Sequence, residues 1–182
     1  MKWFWSLLFA VLASSSWAEN LKVDYARSEL RFVVKQMNVP VEGGFGRYTV
    51  LASFDPLKPE TGQFRVEVDM ASVDTGSAEG DGEARRPAWF DTAKHPKAVF
   101  VSNAIRRDGP GRFTVTGDLT VKGRTRSLAV PLVLQPQRQG GWLANGRFAL
   151  KRTDFDIGGG EWADPGVVAN EVDGRFKILF LP

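Results

Sequence analysis

From Phe64 to Met70 apolar and charged residues alternate without a break, with Phe64, Val66, Val68 and Met70 in one phase and Arg65, Glu67 and Asp69 in the other. An extended backbone sends successive side chains to opposite faces, so this pattern predicts a strand with one buried face. The alternation returns at Trp142, Ala144, Gly146, Phe148 and Leu150, and at Val172, Gly174, Phe176, Ile178 and Phe180. Phe113, Val115, Gly117, Leu119 and Val121 run up to Lys122-Gly123, and Leu128, Val130, Leu132 and Leu134 run back, which predicts a hairpin. Along the whole chain the pattern predicts eight strands, at residues 21–35, 44–54, 63–71, 98–106, 112–121, 125–134, 141–151 and 168–181. Asp55-Pro56, Asp108-Gly109-Pro110-Gly111 and Gln139-Gly140-Gly141 supply turn chemistry between them.

Only residues 77–94 read as a helix, with Trp89 and Phe90 as its apolar face near the end and Pro96 as its stop. The stretch G-D-G-E-A-R-R-P at 80–87 is poor in helix formers, so the helix is expected to start late or to be irregular. Short connections favour antiparallel neighbours, and eight such strands close naturally into an up-and-down barrel. The expectation is an all-β, eight-stranded antiparallel barrel with a short helix near its mouth. An open sandwich is the competing architecture, because pattern alone does not show closure.

The first residues read as a processing segment. Lys2 precedes an apolar run at 3–13, and Ser16 and Ala18 place small residues at the two recognition positions. The run is shorter than the roughly 20 residues of a membrane span. The expectation is a signal peptide over 1–18, cleavage after Ala18, export to the periplasm, and one domain over 19–182. The chain has no cysteine, which excludes disulfides, thiol catalysis and a lipid-modified N-terminal Cys. Its net charge is only +3, and the arginine pairs at 85–86, 106–107 and 124/126 form no basic stripe, so nucleic acid is not an expected partner.

Catalytic chemistry finds no footing. His95 is the only histidine and precedes a proline, so it reads as a turn residue. Asp154 and Asp156 would share one side of an extended segment, but capping or exposure explains them better than a carboxylate pair. Gly158-Gly159-Gly160 lacks the lysine and the strand–loop–helix setting of a phosphate loop and reads as a flexible rim loop leading to Trp162. No metal site, cofactor or enzyme activity is expected.

Four motifs carry a family resemblance. They are S-V-D-T-G at 72–76, W-F-D-T-A-K-H-P at 89–96, G-D-L-T-V-K-G-R-T at 117–125 and R-T-D-F at 152–155. In order and spacing the chain resembles the YceI-like family of secreted, lipocalin-like proteins, and Gly44–Tyr48 is similar to that family's G-x-F-x-x-F/Y segment. The resemblance implies a non-catalytic binder of a long polyisoprenoid, either a polyprenyl phosphate or pyrophosphate or an isoprenoid quinone. The implied role is to carry or sequester that lipid in the periplasm, with transient membrane contact and a monomeric or homodimeric state.

Eight strands enclose an interior that is either filled by side chains or holds one ligand, and the small residues Ala144, Gly146 and Gly174 fit both outcomes. The resemblance implies the cavity; a packed barrel serving as an interaction or stress-response module is the alternative. The residues assigned to the ligand are Phe32, Phe45, Phe90, Phe100, Phe148, Phe155, Trp162, Gly174 and Phe176. Arg152, which opens R-x-D-F, is the cation placed nearest the mouth.

Overall fold

The computed structural model describes residues 21–55 and 57–182. The expected signal peptide lies outside the described residues, as do Glu19 and Asn20. The described chain forms ten strands: β1 (Glu29–Gln36), β2 (Val39–Phe45), β3 (Tyr48–Ser53), β4 (Gln63–Asp69), β5 (Val73–Asp74), β6 (Lys97–Gly109), β7 (Arg112–Val121), β8 (Arg124–Pro136), β9 (Trp142–Lys151) and β10 (Val168–Phe180). They make one curled antiparallel sheet in the order β3-β4-β6-β7-β8-β9-β10-β1-β2-β5, consistent with a lipocalin-like barrel.

Ten strands replace the expected eight because the expected strand over 44–54 breaks into the end of β2 and all of β3, and because β5 lies beyond the expected end of the strand over 63–71. β2 runs into β3 through Gly46-Arg47, and β4 runs into β5 through the 3-10 turn at Met70–Ser72. The two corners hold each other: Gly46 N–H donates to Ser72 O, Arg47 N–H to the Ser72 hydroxyl, and Asp69 N–H to Arg47 O. The S-V-D-T-G motif thus turns a corner, and the pairing shifts from Tyr48 opposite Val68 to Phe45 opposite Val73. The expected first strand over 21–35 also divides. Residues 29–36 pair with both neighbours, whereas Val23 makes only an isolated bridge to Phe180.

The inward phase is the apolar phase read from the sequence. Phe113, Val115 and Val121 of β7, Val130 and Leu134 of β8, and Ile178 and Phe180 of β10 are all buried. A bulge between Ser102 and Ala104 of β6 switches that phase, so that Ala98 and Ile105, an odd number of residues apart, both point inward.

The helix α1 (Ala78–Ala84) is short and occupies the stretch expected to resist helix formation. Ser77 caps it by accepting from Gly80 N–H, and Asp81 reaches back to accept both the amide (2.7 Å) and hydroxyl (2.8 Å) of Thr75. The helix ends early instead of starting late, because Pro87 cannot donate and disfavours helical backbone at Arg86. Trp89 and Phe90 therefore sit in successive turns, not on a helix face, with Asp91 in the left-handed region (φ 49°) and its carbonyl accepting from Lys94 and His95 N–H.

Candidate functional site

Inside the sheet lies a cavity of about 170 Å³. Val50, Ile105, Val115, Leu134, Phe176 and Ile178 are among the side chains around it, and every lining residue but Tyr48 is wholly apolar. One buried cluster includes Ile105, Phe113, Ala144 and Phe180, a second includes Val68, Ala98, Phe155 and Ile157, and Tyr48 and Val66 pack against both.

The glycines on the inward face are occupied, not vacant. A Cβ on Gly174 would lie inside the ring of Phe148, and one on Gly146 inside the ring of Phe176. Gly43 is covered by Phe32, and Gly117 by Phe100. These are neighbours across the ladder: Gly174 pairs with both Phe148 and Phe32, Phe176 pairs with Gly146, and Phe32 pairs with Gly43. Each ring lies down on a wall that has no side chain beneath it. The space beside Gly174, which fits both an open and a filled interior when read from the sequence, holds an aromatic ring folded back against the sheet.

The motif residues build a cap over one part of this scaffold. Arg152 is 1% exposed and spends all five guanidinium donors on main-chain carbonyls. Nε donates to Ala169 O (3.1 Å), Nη1 to Ile157 O (2.9 Å) and Gly158 O (2.8 Å), and Nη2 to Trp162 O (2.7 Å) and Val168 O (2.8 Å). Burial away from water lowers its pKa from the ordinary value. Lys122, at the tip of the β7–β8 hairpin, donates to Pro87 O (2.7 Å) and Asp156 O (2.6 Å) and so ties the turns after α1 to the loop after β9. Gly158 and Gly159 N–H both donate to Ala88 O, and the rings of Trp89 and Trp162 pack with centroids 5.7 Å apart.

Several sequence expectations are corrected here. Arg152 is not a cation at a mouth; its donors are saturated internally, and the loop 152–168 folds around it. The triple glycine is docked, not flexible: Gly158 (φ 74°) lies against Arg152 Nη1, where a side chain would collide. Asp154 and Asp156 do not share the side of an extended segment, because residues 152–155 form a 3-10 turn and Asp156 is left-handed.

Of the residues assigned to the ligand, Phe100, Phe148 and Phe176 line the cavity. Phe32, Phe45 and Phe90 form a separate aromatic chain, with centroids 5.6 Å and 6.0 Å apart. Phe155 is buried in the second cluster, and Trp162 is in the cap. Sequence reasoning missed Leu30, Val50 and Tyr48 as lining residues. Their inward phase was readable, since Tyr48 shares it with Val50 and Ala52, but the corner between β2 and β3 that aims them inward was not. Three buried polar atoms have no hydrogen-bond partner among the described residues: the Tyr48 hydroxyl and the indole nitrogens of Trp89 and Trp162. Among those residues, no group of three His, Cys, Asp or Glu is placed to hold a metal ion, and no helix is long and apolar enough to cross a membrane.

A curled antiparallel sheet around an apolar interior, with a short helix and an arginine-centred loop packed on it, is consistent with a lipocalin-like barrel. The chain belongs to the YceI-like family, whose domain matches residues 21–180. It is 31% identical over 180 residues to protein YceI of Escherichia coli O157:H7, covering 93% of this chain and 90% of that one. A UPF0312 protein of Pseudomonas savastanoi pv. phaseolicola is 34% identical over 138 residues, 73% of this chain and 69% of its own. Among solved structures, Burkholderia cenocepacia BcnA matches with a TM-score of 0.84 at 37% identity, covering 87% of this chain and 99% of that one. A polyisoprenoid binding domain from Saccharophagus degradans, implicated in plant cell wall breakdown, shares the fold with a TM-score of 0.67 at 18% identity, over 87% and 95% of the two chains. No enzyme family is indicated by these matches.

Proposed function

We propose that this protein binds a polyisoprenoid lipid, without chemistry, by burying its tail in the apolar cavity, and that it does so after export to the periplasm. The observation that carries this reading is the lining itself: the curled sheet contributes apolar side chains to one interior space, and Tyr48 is the one lining residue with a hydroxyl. Membership of the YceI-like family and the fold shared with a polyisoprenoid binding domain support it.

Magnitudes favour a tail-dominated site. Burying apolar groups yields about 0.8 kcal/mol per methylene, so one five-carbon unit contributes at most about 4 kcal/mol, less the cost of ordering it. A cavity of about 170 Å³ is close to the size that admits one benzene-sized guest, so a tail of several units needs the interior to widen as it enters. Affinity should then rise with tail length until further widening stops.

Native mass spectrometry of protein purified from its own periplasm tests the reading directly. A co-purifying isoprenoid of defined mass is the expected result. Protein that carries no lipid, and takes none from isoprenoid alcohols, quinones or phosphates, would leave the packed interaction module as the better account. N-terminal sequencing of the same material should begin at Glu19; full-length chain in the membrane fraction would overturn export with cleavage.

A further inference from the structure

The wall of the sheet is not laddered all the way round. β1 pairs with β2 only as far as Arg31 opposite Gly44, and the ladder of β3 runs along β4. Between Glu29-Leu30 at the start of β1 and Tyr48–Val50 of β3, the described residues form no ladder, and the sheet has a seam. The segment before β1 spans it. Leu21 N–H donates to Ala52 O (2.8 Å), Val50 N–H donates to the Tyr25 hydroxyl (3.1 Å), and the Tyr25 and Tyr48 rings meet edge to face with centroids 5.6 Å apart.

Outside the seam is a groove of about 390 Å³, lined by Ser28, Glu29, Arg31, Arg47 and Asp74 around Leu30 and Tyr48. Leu30 and Tyr48 also line the apolar cavity, so these two residues separate the interior from the groove. The Tyr48 hydroxyl is one of the buried atoms without a hydrogen-bond partner among the described residues. Burial, with Tyr25 and Glu29 adding to it, pushes the phenol up to about 12, so it remains a neutral O–H donor. A buried donor without an acceptor is rare in folded proteins and is relieved by a ligand oxygen. The indoles of Trp89 and Trp162 share the condition, but neither residue lines the cavity.

The groove also has a charge preference. Its carboxylates, Glu29 and Asp74, match its guanidiniums, Arg31 and Arg47, and Arg47 is already paired with Asp69 at 2.8 Å. A phosphate there would meet two carboxylates with one guanidinium already engaged, whereas a carbonyl or hydroxyl oxygen would meet no such penalty.

We propose that this seam is the neck of the binding site, where Tyr48 donates a hydrogen bond to a carbonyl or hydroxyl oxygen of a neutral isoprenoid head group that rests in the groove while its tail lies in the cavity. The inference rests on the isoprenoid-binding reading and adds the head-group class and its position.

Three ligands of matched tail length test it: a prenylated benzoquinone, the corresponding hydrocarbon and the corresponding monophosphate. Each is titrated against the wild type and Tyr48→Phe, a change that removes the hydroxyl alone. Tyr48→Phe should weaken the quinone about five- to tenfold, the equivalent of one hydrogen bond, and change the other two by less than about twofold. A quinone with a photoreactive head should cross-link to peptides spanning residues 25–31 or 44–48. Equal quinone affinity in the two proteins, or cross-links at 85–92 and 158–162 instead, overturns the seam while isoprenoid binding stands. Wild-type preference for the phosphate over the quinone overturns the neutral head. Failure of the wild type to bind any of the three removes the isoprenoid reading and the seam with it.

Discussion

Replacing Arg152 by lysine tests whether the cation of R-T-D-F serves the fold or the ligand. The guanidinium satisfies five carbonyls, those of Ile157, Gly158, Trp162, Val168 and Ala169, from a position 1% exposed. A lysine ammonium has three donors, so at least two of the five carbonyls lose theirs. Each buried group left unsatisfied costs about 1–3 kcal/mol, which puts Arg152→Lys at about 2–6 kcal/mol of destabilisation. In a domain of this size each kcal/mol lowers the melting temperature by about 2–4 °C, so the loss should be on the order of 10 °C. Urea unfolding gives the free energy, and hydrogen exchange locates it: amides of residues 157–168 should exchange faster while those of β7 stay protected. Any loss of ligand affinity should be the same for phosphate and alcohol head groups, because no donor is left for a head group to use. A variant that melts within about 2 °C of the wild type, with unchanged exchange in that loop, refutes the clamp. A selective loss of phosphate-headed ligands would restore Arg152 to the binding site.

Three further outcomes follow from the geometry. Gly174→Ala forces the Phe148 ring off the wall and into the cavity; it should cost about 1–3 kcal/mol and weaken tail binding, and Phe148→Leu in the same protein should recover part of both, which a double-mutant cycle in urea would measure. Lys122→Met removes the ammonium that joins Pro87 O to Asp156 O; limited proteolysis should then cut in 85–95 or 156–163 sooner than in the wild type, with the strands intact. Asp81 accepts from the amide and then the hydroxyl of Thr75, which holds its pKa below the ordinary 3.8. A depressed folded pKa means that the contribution is present above the ordinary value and lost as pH falls through the folded one. Exchange protection of 78–84 should therefore decline in acid below about pH 4, and Asp81→Asn should abolish that decline.

Period-two alternation settled the fold class from the chain alone, because burial on one face of a strand is a local property written into every second residue. β7 begins and ends where its pattern does, at Arg112 and Val121, and the turn after it was marked by Gly123, a residue that accepts positive φ freely, whereas Lys122 is held at φ 49°. The apolar character of the interior was legible for the same reason, and the family was legible from four motifs in their order and spacing. What the pattern could not show is whatever depends on residues distant in sequence meeting in space. The corners at Gly46-Arg47 and Met70–Ser72 exist because each satisfies the other's backbone groups, so one breaks the segment 44–54 that reads as a single strand and the other carries the chain past the expected end at 71 into β5. Gly174 and Gly146 fit both an open and a filled interior when read from the sequence, because whether a glycine leaves a hole depends on what lies across the ladder, and here Phe148 and Phe176 do. Arg152 was placed at the mouth by its position in R-x-D-F, because a motif names a charge and not its partners; only the loop folding over it supplies five carbonyls and takes it out of water. Tyr48 is the converse case. Its apolar neighbours mark it as inward-facing, but only the divergence of β1 from β3 lets the residue line both the cavity and the groove.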